Sequence, residues 1–492
     1  MTPDGGSDKR VRHQSYGEGT VTAVERGGMA LRVRFDRYPG LEVSLPARLL
    51  RLVGEDEGAT GGAKRKKPRA KSRAKASSAT KPARLSPEDA VRRQVLEAVR
   101  LGVVPLRGLL AYTVGRDEEI ESARSMLEGR DGDRCRAVLG DYGTGKTHLL
   151  ELIQHIALDL GWVVGRAWLD PQEAPPSKPR RVYAALARSF VYPDKHEAGE
   201  LGLWPLLEHA ARDEKLHNGL FDGEHRHAFL APAIRYARGL LDEVEQHPES
   251  SELSELQLLL TDWIEGRATG VSQELQRRLH SQVAVRDRVL ALSDFGTLPR
   301  IYGYMLSGVG HLARRCGYRG VLLLLDETEL FSNLDLEARA RAVDVFRVLM
   351  SAALPDEAMD LTSVRKGGRG IIRELPPRFG SEGNLALALA ATPGSASEDF
   401  LRETLGPERV LELRRFGKAQ FREMGDRILD LYLQAYPAVN RRVLAALEAK
   451  ADQWIATGAL SSPREFGRRT LDFLDQTRHA AADFAPVPSA KR

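Results

Sequence analysis

Short apolar runs along the chain have the length and composition of strands that are buried on both faces of a parallel sheet. After the first run, apolar residues such as Leu149, Leu152 and Ile156 recur at the spacing of an amphipathic helix. The predicted strands are residues 136–139, 162–169, 321–325, 385–391 and 410–413. The pattern predicts an α/β fold with a parallel sheet in residues 87–417.

A long helical stretch separates the second predicted strand from the third. Apolar residues keep helical spacing through much of residues 195–300, which is far longer than an ordinary connection between a helix and a strand. We therefore interpret this stretch as a helical insertion. Residues 418–478 are helical again and are expected to form a lid, and residues 479–492 are a tail.

The N-terminal part of the chain has a different pattern. Residues 20–24, 30–35 and 41–45 are short β-prone runs separated by turns that contain Gly or Pro, which predicts a small all-β barrel in residues 11–53. Residues 54–86 are rich in Gly, Ala, Ser, Pro and basic side chains, a composition that predicts a disordered linker.

The positive charge is concentrated at this front end. Residues 1–86 contain 19 Lys and Arg against 9 Asp and Glu, a net charge of +10, whereas the remainder carries −5. The basic linker is interpreted either as a solvated tether or as a sequence-independent contact with DNA phosphates. The sequence leaves both interpretations open.

Composition argues against secretion and membrane insertion. The two cysteines, Cys135 and Cys316, cannot make a disulfide framework, and the N-terminus lacks the apolar core of a signal peptide. The apolar runs are too short to span a bilayer. We expect a soluble cytoplasmic protein without a membrane partner.

The first predicted strand runs into a complete P-loop motif, G-x-x-x-x-G-K-T. The motif residues, with the residue that follows them, are Gly140, Asp141, Tyr142, Gly143, Thr144, Gly145, Lys146, Thr147 and His148. A strand, a glycine-rich loop and a helix in this order let backbone N–H groups and the helix N-terminus surround a phosphate. We expect Lys146 to reach the β- and γ-phosphates of ATP, and the Thr147 hydroxyl to help hold Mg²⁺.

The third and fourth predicted strands end in residues that suit the same chemistry. Asp326 follows the apolar run of a Walker B strand, where it would bind Mg²⁺ through water. Glu327 is suited to orient and activate the water that attacks the γ-phosphate, with Glu329 as a candidate supporting carboxylate. Thr392 follows the next strand and is placed to sense the γ-phosphate.

Three other segments bear on the site. The loop at residues 365–378 holds five basic residues and is either a mobile surface loop or a surface that faces DNA. An N-cap and a proline at residues 461–463 predict a helix start that would bring Arg464 towards the nucleotide. Gly115 and Arg116 precede the P-loop by some 25 residues.

Several of these segments resemble known families. The Gly115-Arg116 segment resembles the G-R-x-x-E motif of origin-recognition-like and STAND-type AAA+ ATPases, where the motif lies near the adenine. Pro463-Arg464 resembles the sensor-2 element of the same proteins. Residues 16–21 and 33–36 resemble Tudor/SH3-like barrels, which dock onto proteins more often than they contact DNA.

Over residues 88–478 the chain resembles the D-type ATP-binding proteins of BREX bacteriophage-defence islands, which accompany a helicase. The resemblance is carried by residues 139–148 and 317–320 and by the order of the motifs. It implies an AAA+-like ATPase that serves antiviral defence with DNA and partner proteins. We expect one of these partners, a helicase, to dock through the N-terminal barrel. The barrel and the basic linker depart from the family's typical member. An arginine finger would come from a second copy in a homo-oligomer or from a partner, and Arg402 and Arg409 are the candidates.

We therefore expect a Mg²⁺-dependent ATPase that remodels or loads a DNA-bound defence complex. Two alternatives stay open, namely an ATP-gated switch or scaffold with little turnover, and a helicase loader of the origin-recognition type. Glu327 favours hydrolysis, because a pure switch does not need a well-placed base.

Overall fold

The computed structural model of this protein describes most of the chain between Arg10 and Asp483. The described residues are 10–13, 17–25, 30–35, 42–46, 50–52, 86–105, 108–129, 133–195, 200–214, 216, 226–267, 272–292, 298–354, 359, 361–362, 364, 375–380, 383–436, 443–457 and 462–483. The predicted linker, apart from Ser86, lies outside them, as do most of the loop at 365–378 and the C-terminal residues from 484 onwards.

Five short strands at the N-terminus pair in an antiparallel sheet. They are β1 (Arg10–His13), β2 (Gly17–Glu25), β3 (Ala30–Phe35), β4 (Glu42–Pro46) and β5 (Leu50–Leu52), in the order β4-β3-β2-β1-β5. Val11, Val21 and Val33 are buried. Strands β1 and β5 fall outside the predicted runs, because strands of four and three residues are too short to give a pattern. Closure of the sheet into a barrel stays a prediction.

A second sheet, of five parallel strands, lies within residues 135–413. Its strands are β6 (Cys135–Gly140), β7 (Val163–Trp168), β8 (Val321–Asp326), β9 (Leu385–Ala391) and β10 (Val410–Leu413), in the order β10-β6-β9-β8-β7. Each matches a predicted strand to within one residue at either end, so the predicted parallel α/β sheet is confirmed. Strands β8 and β9 are buried along their whole length, as expected for central strands.

The helices of the described residues follow the predicted helical stretches. They are α1 (Pro87–Leu101), α2 (Asp117–Glu128), α3 (Lys146–Asp159), α4 (Pro179–Arg188), α5 (Trp204–Arg212), α6 (Leu230–Gln246), α7 (Ser251–Ile264), α8 (Ser272–Gln282), α9 (Pro299–Arg315), α10 (Leu336–Ala353), α11 (Ala396–Leu405), α12 (Lys418–Ala435), α13 (Val443–Ala456) and α14 (Pro463–Asp483). Side-chain caps fix several starts, and the Ser86 hydroxyl accepts from the Asp89 amide at 3.1 Å ahead of α1. None of the described helices is long and apolar enough to cross a bilayer.

Helices α5 to α8 occupy the predicted insertion and pack on one another in sequence. Large aromatic side chains such as Phe229, Tyr236 and Trp263 are buried there and belong to the same apolar core as the sheet. The Tyr183 hydroxyl of α4 donates to the Ile264 carbonyl at 2.6 Å, which ties the end of α7 to a helix that packs on β7. The insertion is therefore continuous with the body that carries the sheet.

By its internal contacts the chain divides into two compact units. One contains Met1–Ala111, Arg427–Leu444 and Leu471–Arg492, and the other contains Tyr112–Asp426 and Ala445–Thr470. The predicted lid at 418–478 is thus divided between them. The P-loop segment and the residues discussed with it below lie in the second unit.

Candidate functional site

The P-loop segment joins β6 to α3 through a tight turn that needs its glycines. Gly143 and Gly145 have φ angles of +83° and +100°, which residues with a Cβ rarely adopt. At Gly140 a Cβ would lie 2.4 Å from the Thr144 hydroxyl and 3.0 Å from the Leu413 Cβ. Helix α3 begins at Lys146, so the unpaired N–H groups of its first turn lie next to the loop. Such N–H groups favour the binding of an anion.

Lys146 is held at the centre of the site. Its ammonium donates to the Gly140 carbonyl at 2.9 Å and to the Thr392 hydroxyl at 2.9 Å. The Glu329 carboxylate lies 3.9 Å from the same nitrogen and accepts a hydrogen bond from Thr392. Because β9 lies between β6 and β8, the residue after β9 falls between the loop and the end of β8. This order explains how Thr392, far away in sequence, reaches Lys146.

Asp326 ends β8 beside the first turn of α3. Its Oδ2 accepts from the Thr147 hydroxyl at 3.1 Å, and its Oδ1 accepts from the Glu327 amide at 3.1 Å. The side chain is 1% exposed, so these protein groups and not water satisfy the carboxylate. Both sequence-predicted metal ligands are therefore brought together at the carboxyl edge of the sheet.

Glu327 has an unusual backbone for a glutamate. Its φ of +61° is the single positive φ at a non-glycine residue in the described part of the chain. This left-handed conformation turns the chain sharply after β8 and leaves the Glu327 side chain partly exposed, whereas Asp326 is buried. Partial burial and the neighbouring carboxylates Glu329 and Asp326 raise the pKa of Glu327 above its ordinary value.

A buried arginine on β7 also contacts Asp326. Arg166 forms an ion pair with Glu151 of α3 and places its other terminal nitrogen 3.4 Å from Asp326 Oδ2. The half-exposed Trp168 ring covers the guanidinium at 4.3 Å. Sequence patterns alone did not identify Arg166 and Glu151 as site residues. The signal was a charged residue within a predicted buried strand and another between apolar positions of α3.

The Gly115-Arg116 segment contacts the P-loop directly. Arg116 is 5% exposed, donates to the Thr144 carbonyl at 2.6 Å and pairs with Glu119 at 3.0 Å. The Phe416 ring lies 5.3 Å from its guanidinium, and a Cβ at Gly115 would lie 3.1 Å from the Gln420 side chain. Two residues that follow β10, Phe416 and Gln420, thus pack against the Gly115-Arg116 segment.

His148 is enclosed by the same segment. Its Nε2 lies 2.9 Å from the Thr113 hydroxyl, and its ring meets the Tyr112 ring edge-on. Burial, with Arg116 nearby, lowers the pKa of His148 to about 4, so the imidazole is neutral at physiological pH. A neutral histidine packs against the loop without adding charge to it.

Other predicted residues lie apart from this cluster or are engaged elsewhere. Arg464 is exposed in the first turn of α14, and no contact within the described part of the chain joins it to the P-loop. Arg402 pairs with Glu398 and Glu412, and Arg409 pairs with Asp133 and Glu408. Tyr142 is 90% exposed, and Asp141 pairs with Arg415 at 2.9 Å.

The parallel sheet, the glycine-rich loop ahead of α3 and the acidic end of β8 are typical of P-loop nucleotide-binding proteins. The family model of BREX system ATP-binding proteins, BrxC/D, matches residues 88–207 and 259–487. The chain belongs to this family, which confirms the resemblance found in the sequence. The family match excludes residues 1–87, with the N-terminal sheet, and residues 208–258 within the insertion. No individual curated protein matches the sequence.

Proposed function

We propose that this chain binds ATP with Mg²⁺ and hydrolyses it, and that the ATP cycle remodels or loads a DNA-bound complex of a BREX defence system. Family membership supports the first part. The observation that carries the proposal is the convergence of Lys146, Thr392 and Asp326 at one edge of the sheet, within the hydrogen bonds described above.

The residues at this edge fit Mg²⁺. The ion prefers oxygen ligands in an octahedron with bonds of about 2.1 Å, in which adjacent ligand atoms are about 3 Å apart. The Thr147 hydroxyl and Asp326 Oδ2 are oxygen atoms 3.1 Å apart. These two residues would hold the ion, directly or through water. When bound, the ion supplies charge neutralisation to the phosphates.

The remaining side chains have complementary roles. Lys146 neutralises phosphate charge while Thr392 fixes its ammonium group, and the amides of the loop bind phosphate oxygens. Glu327 orients the attacking water and accepts its proton. Its raised pKa suits this role, because a base works best when its pKa lies nearer the working pH. Gly115 and Arg116 support the nucleotide side of the loop.

The arginines that would complete the site must first change their positions or their contacts. Arg464 would approach the nucleotide by movement of the α14 start. Arg402 or Arg409 would serve as a finger in another copy of this chain only by exchanging its ion pairs for a phosphate contact. We further propose that the basic linker and the loop at 365–378 contact DNA, and that the N-terminal strands dock onto a defence-system helicase.

Steady-state ATP turnover, measured with and without duplex DNA across a salt series, tests this function. Lys146→Ala should abolish nucleotide binding. Glu327→Gln should bind ATP normally and lower turnover about 100-fold or more, because it keeps the shape of the side chain and removes the base. DNA should stimulate the wild type, and salt should weaken this effect.

A near-zero wild-type rate that Glu327→Gln does not lower, with ATP still bound by the wild type, would reject hydrolysis in favour of an ATP-gated switch. If the wild type binds no ATP, the proposed function fails altogether. Turnover that is present but insensitive to DNA would remove the DNA-coupled part alone.

A further inference from the structure

Arg166 stands out among the residues around the site because it joins three elements. It lies on β7, pairs with Glu151 on α3 and reaches Asp326 at the end of β8. All three side chains are largely buried, with Arg166 at 7% and Asp326 at 1% exposure. A charged residue is seldom buried unless it is paired with an opposite charge.

The contact to Asp326 falls on the oxygen that also faces the P-loop. Asp326 Oδ2 accepts from Thr147 at 3.1 Å and lies 3.4 Å from the Arg166 guanidinium, while Oδ1 is taken by the Glu327 amide. Removing Arg166 would leave Oδ2 without its partner on the β7 side. The carboxylate would then be held by Thr147 and the Glu327 amide alone and could turn more easily away from Thr147.

Arg166 is in turn held in place from two directions. Glu151 anchors one terminal nitrogen, and Trp168 covers the guanidinium face at 4.3 Å. Trp168 pairs with Asp326 in the register of β7 and β8, so the ring stands beside the end of β8. The planar guanidinium can bridge two carboxylates in a fixed geometry, which the single ammonium of a lysine cannot reproduce.

We propose that Arg166 is a positioning residue for Mg²⁺ binding: it holds the Asp326 carboxylate towards Thr147 and thereby sets the affinity of the ATP-loaded protein for the ion. The inference rests on the proposed function, since it concerns the same metal ligands. Partners that orient metal ligands typically contribute 10- to 100-fold in metal affinity.

The test uses the double variant Glu151→Gln/Arg166→Met in the full chain. The substitutions remove one negative and one positive charge, so the net charge near Asp326 is unchanged and only its anchorage is removed. Leaving Glu151 unpaired in a single Arg166 variant would instead bury a lone charge and endanger folding. Glu151→Gln alone is the control for the loss of the Glu151 charge, because glutamine can still accept a hydrogen bond from Arg166 and the Arg166 contact to Asp326 stays in place.

Binding of a fluorescent ATP analogue is measured first in EDTA and then against increasing Mg²⁺. In EDTA the double variant should bind within about twofold of the wild type, because the loop and Lys146 are intact. The Mg²⁺ concentration for half-maximal effect should rise about tenfold or more in the double variant and little in Glu151→Gln. Arg166→Lys should fall between them.

The outcomes separate this inference from the proposed function. A wild type that binds no analogue, or binds it without any response to Mg²⁺, rejects the proposed function. A wild type that responds to Mg²⁺, with a double variant that has the same half-maximal concentration, overturns the role of Arg166. A lower melting temperature with unchanged Mg²⁺ dependence also overturns that role, because it assigns the ion pair to stability alone.

Discussion

Lys146 donates a hydrogen bond to a residue that directly follows β9, which makes Thr392 part of the lysine's environment. The Thr392 hydroxyl accepts from the ammonium at 2.9 Å and donates to Glu329, so it fixes both groups at once. Hydrogen bonds to charged groups contribute about 1.5–3 kcal/mol. Loss of this hydroxyl should therefore matter more than loss of an ordinary surface hydroxyl.

Thr392→Val tests this at the level of one atom, because valine keeps the shape and removes the hydroxyl. We expect ATP turnover to fall about tenfold or more, as Lys146 and Glu329 lose their shared partner. Thr392→Ser keeps the hydroxyl and should stay within about threefold of the wild type. Equal rates for the valine variant and the wild type would show that Thr392 does not contribute to the chemistry.

At the scale of elements, the packing around a helix determines how a glycine within it affects stability. Gly425 lies within α12, where a Cβ would make an ordinary contact of 3.4 Å with Phe466. Gly310 lies within α9, where a Cβ would come 2.7 Å from the Asn384 backbone carbonyl just ahead of β9. The two positions share a helical backbone and differ in the space around them.

Alanine at these two glycines should therefore have opposite effects. Gly425→Ala should raise the free energy of unfolding by up to about 1 kcal/mol, because alanine restricts the unfolded chain and favours the helix. Gly310→Ala should lower it by about 1–3 kcal/mol through overpacking against β9. Urea unfolding of both variants is the measurement, and a shift of the same sign in both would contradict the argument.

His227 links the start of α6 to α9. Its Nδ1 accepts from the Phe229 and Leu230 amides at 3.2 and 3.1 Å, and its ring stacks on Tyr304 at 4.2 Å. Burial lowers the pKa of His227 to about 3. The imidazole can accept these two hydrogen bonds only while Nδ1 carries no proton.

Acid should therefore destabilise this part of the fold. A histidine whose folded pKa lies below its unfolded value of about 6.5 costs stability as the pH falls through 6.5, because the unfolded chain takes up the proton first. Between pH 7 and pH 5 the wild type should lose about 2 kcal/mol that His227→Gln does not lose. Free energies of unfolding at both pH values provide the comparison, and equal losses would rule out His227 as the cause.

Sequence patterns predicted the parallel sheet well and the contacts of the site less completely. The five core strands combine apolar composition with clear ends, and the P-loop has a spacing that few other structures need. Arg166 gave no comparable signal, because its partners lie on α3 and β8 and only the packed fold brings them together. The same holds for Phe416, which meets Arg116 across 300 residues of sequence.

At the scale of the whole molecule, the chain joins a body of nearly balanced charge, which contains the P-loop segment, to a strongly basic front. Residues 1–86 carry a net charge of +10, and the remainder carries −5. The family match begins at residue 88, so the basic segment is an addition to the family's common part. A segment rich in positive charge can bind a polyanion. We propose that it contacts DNA phosphates.

Replacing the ten Lys and Arg of residues 64–84 by glutamine in the full chain tests that function. We expect DNA to lose most of its stimulation of ATP turnover, while turnover without DNA is unchanged because the substitutions leave the P-loop intact. For each phosphate that is no longer neutralised, the slope of log DNA affinity against log salt should shrink by about 0.9.

A scrambled segment of the same composition should behave like the wild type, since phosphate binding depends on charge and not on order. If neutralisation leaves DNA affinity and its salt slope unchanged, the segment is a tether, and DNA binding must be sought elsewhere, first in the loop at 365–378.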